Sequence, residues 1–357
     1  HLIYIHTHDP GSYVHPLGYN VPTPNIHRLA EGGVLFRQAF TAAPTCSPSR
    51  ACLLTGQAAH SCGQLGLANR GFNLRDTHKH LAHTLKGAGY TTALFGIQHL
   101  HTDPSLLGYD LLVETNAELD DYDAAARTQD AVDFLGKQHD QPFFMTVGYA
   151  ETHRIFPEPG PAEDARYCRP PAPLPDTPAT RSDMAAYKAS ARILDENLGR
   201  VFNAVDANGL ADDTLIICTT DHGLAFPGMK CTATDHGMGV MLIMRGANGF
   251  NGGKAIDGMV SQIDLYPTIC ELAGIEAPGW LEGRSLMPLV KGEVDEVNEV
   301  VFGEVNYHAG YQPQRAVRSP RWKYIRHYNE RLSTVLSNVD DGPSKQLWVA
   351  NGLRERT

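Results

Sequence analysis

Thr214-Leu215-Ile216-Ile217-Cys218-Thr219-Thr220-Asp221-His222-Gly223 is a β-branched, apolar run that ends in Asp-His-Gly. A run without polar alternation suits a strand buried on both faces, as in a parallel sheet. The glycine marks the turn out of the strand. Open α/β sheets bind ligands outside the carboxyl ends of their strands, so Asp221 and His222 are candidate functional groups. Other runs have the same form. Leu2-Ile3-Tyr4-Ile5 leads into His6-Thr7-His8-Asp9-Pro10-Gly11, and Thr91-Thr92-Ala93-Leu94-Phe95-Gly96 leads into Ile97-Gln98-His99. Pro142-Phe143-Phe144-Met145-Thr146-Val147-Gly148-Tyr149 leads into Glu151-Thr152-His153-Arg154. With Val240-Met241-Leu242-Ile243-Met244, the pattern predicts strands near residues 2–6, 91–95, 143–149, 214–219 and 240–244.

Helical patterns separate these strands. From Arg181 to about Asp206 the residues Met184, Tyr187, Ala191, Leu194, Leu198, Val201, Phe202 and Val205 recur at three- and four-residue steps, one apolar face of a helix. Shorter helices are expected from Pro48 to Leu54, from His80 to Lys86 with Gly87 as the stop, and from Ile263 through Leu272 to Gly274. The alternation implies an α/β fold: a mainly parallel central sheet with helices on both faces. After about residue 295, Val300-Val301-Phe302-Gly303 and Arg321-Trp322-Lys323-Tyr324-Ile325-Arg326 read as short strands of a small antiparallel C-terminal lobe. Pro157 to Pro178 is a proline-rich loop, expected on the cleft rim and a candidate for substrate choice.

The 357 residues can bury a large core. A formal charge of −10 with no Lys/Arg block argues against a nucleic-acid partner. No apolar run is long enough to cross a membrane. The seven cysteines, an odd number without scaffold spacing, suit a reducing compartment, so a cytoplasmic location is expected. A removed leader would make it periplasmic or lysosome-like.

Cys46-Ser47-Pro48-Ser49-Arg50-Ala51-Cys52-Leu53-Leu54-Thr55-Gly56 is the most specific stretch of the chain. Read bare, it is a thiol among small residues at a helix entry. It also matches the pattern C-x-P-S-R-x-x-x-L-T-G at every fixed position and so resembles the signature of sulfatases, within the alkaline phosphatase superfamily. The likeness extends over nearly the whole chain. Inside the family it is most similar to the heparan N-sulfatase (N-sulfoglucosamine sulfohydrolase) group.

The resemblance implies a sulfatase that hydrolyses a sulfate ester or sulfamate, an N-sulfoglucosamine-type sugar among the candidate substrates. Cys46 would become formylglycine through a maturation enzyme, and Arg50 would hold it. One divalent metal is implied, Ca²⁺ first, with Mg²⁺, Mn²⁺ or Zn²⁺ as alternatives. Its ligands would be Asp9, Asp221 and His222. His8 stands where the family has an acid, and an imidazole suits transition metals better than Ca²⁺; it reads equally as a ligand or as a loop histidine. His99, His153 and Lys230 match the groups that handle protons and sulfate oxygens. Ile97 replaces the usual lysine, leaving Lys79, Lys86 or His101 to compensate. A second Asp-His-Gly, at Asp235 and His236, reads as loop near the cleft.

The implied organisation is a catalytic domain over 1–295 and a C-terminal subdomain over 296–357. That subdomain is expected to be cut short, because the family's last strand and terminal helix are not legible before Thr357. A phosphatase or phosphonate monoester hydrolase of the same superfamily is the rival reading. A catalytically inactive sulfatase-like binding protein is another.

Overall fold

In strand β1 (Leu2–Thr7) every residue is buried. Leu2 and Tyr4 join one hydrophobic cluster, and Ile3 and Ile5 join another. That two-residue alternation is what a central strand covered on both faces must show. The computed structural model describes residues 1–113, 122–329 and 335–352.

Chain order continues with β2 (Val34–Phe36), β3 (Ala39–Phe40), β4 (Thr91–Gly96), β5 (Leu111–Val113), β6 (Phe143–Gly148), β7 (Leu215–Thr220), β8 (Leu242–Arg245), β9 (Lys254–Ile256) and β10 (Val260–Ser261). Eight of these form one sheet in the order β5-β4-β6-β1-β7-β8-β2-β9, while β3 pairs with β10. The register Ile3↔Met145 and Ile3↔Ile216 aligns the carboxyl ends of β6, β1 and β7.

β8 departs from the parallel expectation and runs antiparallel to β7 and β2. The physical reason is the connection. The connection, residues 221–241, carries only the four-residue helix Asp235–Met238 and not the long crossover helix that usually joins parallel strands. Asp235 and His236 are therefore in a short helix rather than a loop. Asp235 is paired with Lys323 at 2.7 Å and with Arg318 at 3.2 Å.

Helices Cys46–Thr55, Leu81–Gly87 and Leu265–Ala273 pack with Leu2, Tyr4, Phe144 and Ile217 on one face. Helices Pro24–Gly32, Ala124–Leu135 and Pro178–Ala207 cover Ile3, Ile5, Met145, Val147 and Cys218 on the other. The long helix begins three residues before its apolar stripe suggests. Thr177 caps it reciprocally with Thr180, and Pro178 occupies the first turn, where a missing N–H costs nothing.

The C-terminal lobe is an antiparallel sheet of β11 (Val301–Tyr307), β12 (Tyr311–Arg318) and β13 (Lys323–His327). A helix then follows at Pro343–Ala350, where no helix is legible in the sequence. Its stripe is weak because only Ser344 is buried, although Trp348 packs on the cluster containing Tyr187 and Phe226. No helix among the described residues is long and apolar enough to cross a membrane.

Candidate active site

Four strand ends and one helix start meet at a single point. β1 delivers His8 and Asp9, and β7 delivers Asp221 and His222. The loop after β4 carries His99, and the loop after β6 carries His153. Cys46 is the first residue of the signature helix, with Arg50 one turn on. Asp9 (φ 62°) and His99 (φ 49°) both adopt the left-handed region that non-glycine residues usually avoid. Such conformations persist where surrounding contacts over-determine them, commonly at functional sites.

Asp221 is the hub. Its Oδ1 accepts from the backbone N–H of Asp9 and of His222, each at 2.9 Å. Its Oδ2 accepts from Arg50 Nη2 at 3.1 Å and lies 3.3 Å from His8 Nδ1. Burial alone would raise its pKa, but His222, His8 and Arg50 reverse this and hold the carboxyl well below the usual range. Ser49, inside the signature, donates to the Asp221 carbonyl at 2.6 Å, fastening the helix to β7. Arg50 is thus a clamp on Asp221.

His222 Nδ1 donates to the Gly223 carbonyl at 3.0 Å. That leaves Nε2 as the lone-pair nitrogen. It accepts from the Cys46 thiol at 3.3 Å and lies 3.4 Å from Asp9 Oδ1. Burial pushes the Cys46 thiol well above its ordinary value, with Lys230 opposing. The unmodified side chain is thus a poor thiolate nucleophile.

Lys230 closes the other side. Its ammonium donates to Asp9 Oδ2 at 2.9 Å, to Asp340 Oδ2 at 2.8 Å, and faces His153 Nε2 at 3.4 Å. Burial would strip its proton, but Asp340 and Asp9 keep it charged, well above the usual lysine range. His153 Nδ1 donates to the Arg154 carbonyl at 2.6 Å, so Nε2 carries the lone pair. Burial, then the charge of Arg50, lowers the pKa of His99 to about 3 and keeps it neutral.

The donors fit a cation. One ligand atom each from His8, Asp9, Cys46 and Asp221 lies within 4.8 Å of the others. Asp9 Oδ1 and both His8 nitrogens are buried without a hydrogen-bond partner. Buried polar atoms are almost always satisfied, so orphans converging beside two carboxylates are what an ion would satisfy. His8 is therefore inside the cluster.

The structure brings together Cys46, Arg50, His99, His153, Lys230, Asp9, Asp221, His222 and His8. It does not bring in the expected substitutes for the absent lysine. Lys79 reaches Gln57 at 3.5 Å, Lys86 pairs with Asp110, and His101 bonds within its own loop. Ile97 itself is buried. Sequence reasoning missed Asp340, which sits in Val339-Asp340-Asp341-Gly342-Pro343, a segment with turn chemistry and no periodic pattern. Next to His153 opens a cavity of about 360 Å³, lined by Glu151, Arg154, Phe156 and Pro157 among others. Burial raises Glu151 to about 7. Pro157, the start of the proline-rich loop, lines this cavity.

The sulfatase family model matches residues 2–275. The chain belongs to the sulfatase family. The N-sulphoglucosamine sulphohydrolase C-terminal model matches residues 230–350, a span that holds both Lys230 and Asp340. Human N-sulphoglucosamine sulphohydrolase is 29% identical over 353 residues, covering 87% of this chain and 70% of the human one. A protein crystallised with its substrate D-glucosamine-2-N,6-O-disulfate shares the fold, with TM-score 0.73 at 20% identity over 99% of this chain and 95% of that one. So does the phosphonate monoester hydrolase of Agrobacterium radiobacter, with TM-score 0.70 at 20% identity over 91% and 87%. Sulfatases hydrolyse sulfate esters or sulfamates, and as a family they use a metal and formylglycine. This sulfatase has the cysteine for the second and a donor cluster for the first.

Proposed function

We propose that this sulfatase hydrolyses a sulfated sugar, an N-sulfoglucosamine-type unit among the candidates, with Cys46 matured to formylglycine. One observation carries the reading: the Cys46 sulfur stands 3.3 Å from His222 in a cluster with His8, Asp9 and Asp221, across from a fully buried, charged Lys230. An anionic group placed between them meets positive charge inside a chain whose net charge is −10. When bound, a divalent cation would supply further positive charge to the sulfate oxygens and the nucleophile. Formylglycine would supply, as its hydrate, the hydroxyl that attacks sulfur.

The chain's own residues do the rest. Lys230 turns the N–H that faces His153 to a sulfate oxygen, in a charge-assisted hydrogen bond. His153, with its lone pair on Nε2 in the free site, takes up a proton there from solvent as the anion arrives and passes it to the departing oxygen or nitrogen. His99, neutral at physiological pH, accepts a proton from the nucleophile's second hydroxyl. Arg50 fixes Asp221 and adds charge close to the reacting centre. The cavity beside His153 takes the sugar, with Phe156 as an apolar wall. The human relative acts on an N-sulfated glucosamine by its name, which supports this substrate class.

The test combines mass spectrometry of the Cys46 peptide, after co-expression with a formylglycine-generating enzyme, with kcat/KM for sulfated and phosphorylated substrates. An aldehyde at Cys46 and a preference for sulfate or sulfamate are expected. A preference for phosphate or phosphonate esters would move the assignment to the phosphonate hydrolase type. An aldehyde with metal and no turnover would leave a binding protein.

A further inference from the structure

Asp340 has no part in the chemistry above, yet it faces the group that holds the sulfate. Its carboxylate lies 2.8 Å from Lys230 Nζ, and its side chain is 23% exposed. The other carboxylate on the same ammonium, Asp9, is fully buried. With His153 Nε2 at 3.4 Å, the protons of Lys230 all have partners. A ligand coming from solvent to Lys230 therefore passes between Asp340 and His153, because Asp9 is on the inner side.

Asp340 is not on a free arm. Asn338 Oδ1, two residues before it, accepts from the backbone N–H of Ala309 at 3.0 Å and of Gly310 at 2.6 Å. Val339 is buried, and its carbonyl accepts from Lys345 at 2.8 Å. The Ser344 N–H donates to Asp183 Oδ2 at 3.1 Å. A carboxylate fixed beside a sulfo-group site repels the anion unless the ligand brings a proton to share. The atom that must sit between Asp340 and the proton donor His153 is the one joining sulfur to the leaving group.

We propose that Asp340 is a specificity-determining residue that accepts a hydrogen bond from the N–H of a sulfamate, a donor that the bridging oxygen of a sulfate ester lacks. The inference rests on the reading of Lys230 and His153 as the sulfo-group contacts, and it names N-sulfated amines as the preferred substrate class. Phosphate and sulfate esters, with no proton on the bridging atom, meet the carboxylate unpaired.

Sulfamate ion (H₂N–SO₃⁻) and methanesulfonate (H₃C–SO₃⁻) have equal charge and nearly equal shape, and differ in N–H donors. Calorimetric titration of the full chain with each anion, in the wild type and in Asp340→Ala, isolates the contact. The wild type is expected to bind sulfamate about tenfold more tightly or better, as a hydrogen bond to a charged group allows. In Asp340→Ala the preference should fall below about threefold, with methanesulfonate binding unchanged or improved. Asp340→Leu, which keeps a similar volume and carries no hydrogen-bond acceptor, replaces it if the alanine variant does not fold and is held to the same bound. Equal binding of the two anions by the wild type, or a preference that survives the substitution, overturns the role of Asp340 alone. Failure of the folded wild type to bind either anion overturns the reading of Lys230 as well.

Discussion

Both nitrogens of His8 are buried without a hydrogen-bond partner, and Nδ1 stands 3.3 Å from Asp221 Oδ2. Burial and the neighbouring Arg50 charge hold its pKa well below the imidazole value, so it is a neutral lone-pair donor. With His222, the cluster then offers imidazole nitrogens beside the carboxylates of Asp9 and Asp221. Ca²⁺ wants oxygen ligands in greater number, whereas mixed nitrogen and oxygen donors favour Zn²⁺. The expectation of Ca²⁺ came from the family's pattern, and at this one position the chain leaves it. Metal-free protein titrated with Zn²⁺ and with Ca²⁺ is expected to bind Zn²⁺ more tightly. His8→Asp should narrow that preference by about tenfold or more, by the scale of ligand-sphere changes. An unchanged ratio would mean that His8 only sits beside the ion. Most single site residues were legible because each ends an apolar run or falls inside the signature. Asp340 was not, since nothing local distinguishes an acid in a turn that long-range packing carries to Lys230.

Elements place these side chains, and two positions show how tightly. A Cβ on Gly148, at the end of β6, would overlap the carbonyl oxygen of Ile97, at the end of β4. The two parallel strand ends lie side by side with no room for a side chain, which is how His99 and His153 come to face one centre. Gly148→Ala is expected to cost about 3 kcal/mol in urea unfolding, at the upper end of overpacking effects, and to lower kcat/KM because the Ile97–His99 turn must move. His80 shows a pH device in a helix cap. It sits just before Leu81–Gly87, and its Nδ1 accepts from the Ala82 N–H at 3.1 Å, which requires the neutral ring. Burial, then the neighbouring His83, lowers it to about 3. Between that value and the unfolded value near 6.5 the unfolded chain binds more protons, so stability falls as pH falls through this window. From pH 7 to pH 5 the wild type should lose about 2 kcal/mol more than His80→Asn, which keeps a capping oxygen and does not titrate. Equal losses in denaturant titrations at the two pH values would rule this out. The central strands were legible as unbroken apolar runs. β2, β3, β5, β9 and β10 were not, because stretches as short as Ala39–Phe40 carry no periodicity and exist only through their partners.

At the scale of the whole molecule the proposed catalytic groups come from segments far apart in sequence, and one buried ion pair ties three of these segments. Arg154 donates to both oxygens of Asp183 at 2.7 and 2.8 Å, and its Nε donates to the Ala225 carbonyl at 3.0 Å. Asp183 in turn accepts from the Ser344 N–H. The pair therefore joins the loop bearing His153, the β7–β8 connection bearing Lys230 and the C-terminal segment bearing Asp340, with the helix Pro178–Ala207 as the anchor. Phe156 and Phe226 flank the guanidinium, at 4.2 and 4.9 Å from its carbon, and shield the pair from water. The parallel core could be anticipated from alternating patterns alone, but this joint could not. Arg154 and Asp183 are ordinary charges in the sequence, and only the fold buries them together. Removing one partner from a buried pair leaves an uncompensated charge and costs about 3–5 kcal/mol, whereas replacing both by apolar groups costs far less. Asp183→Ala is thus expected to lose that amount in urea unfolding and to lower kcat/KM, because Lys230, His153 and Asp340 lose their common anchor. The double variant Arg154→Met with Asp183→Leu should recover most of the stability. It should not recover kcat/KM, since the bond to Ser344 that steadies Asp340 is still absent. If the double variant regains activity along with stability, the pair only holds the fold together, and the alignment of the three segments is set elsewhere.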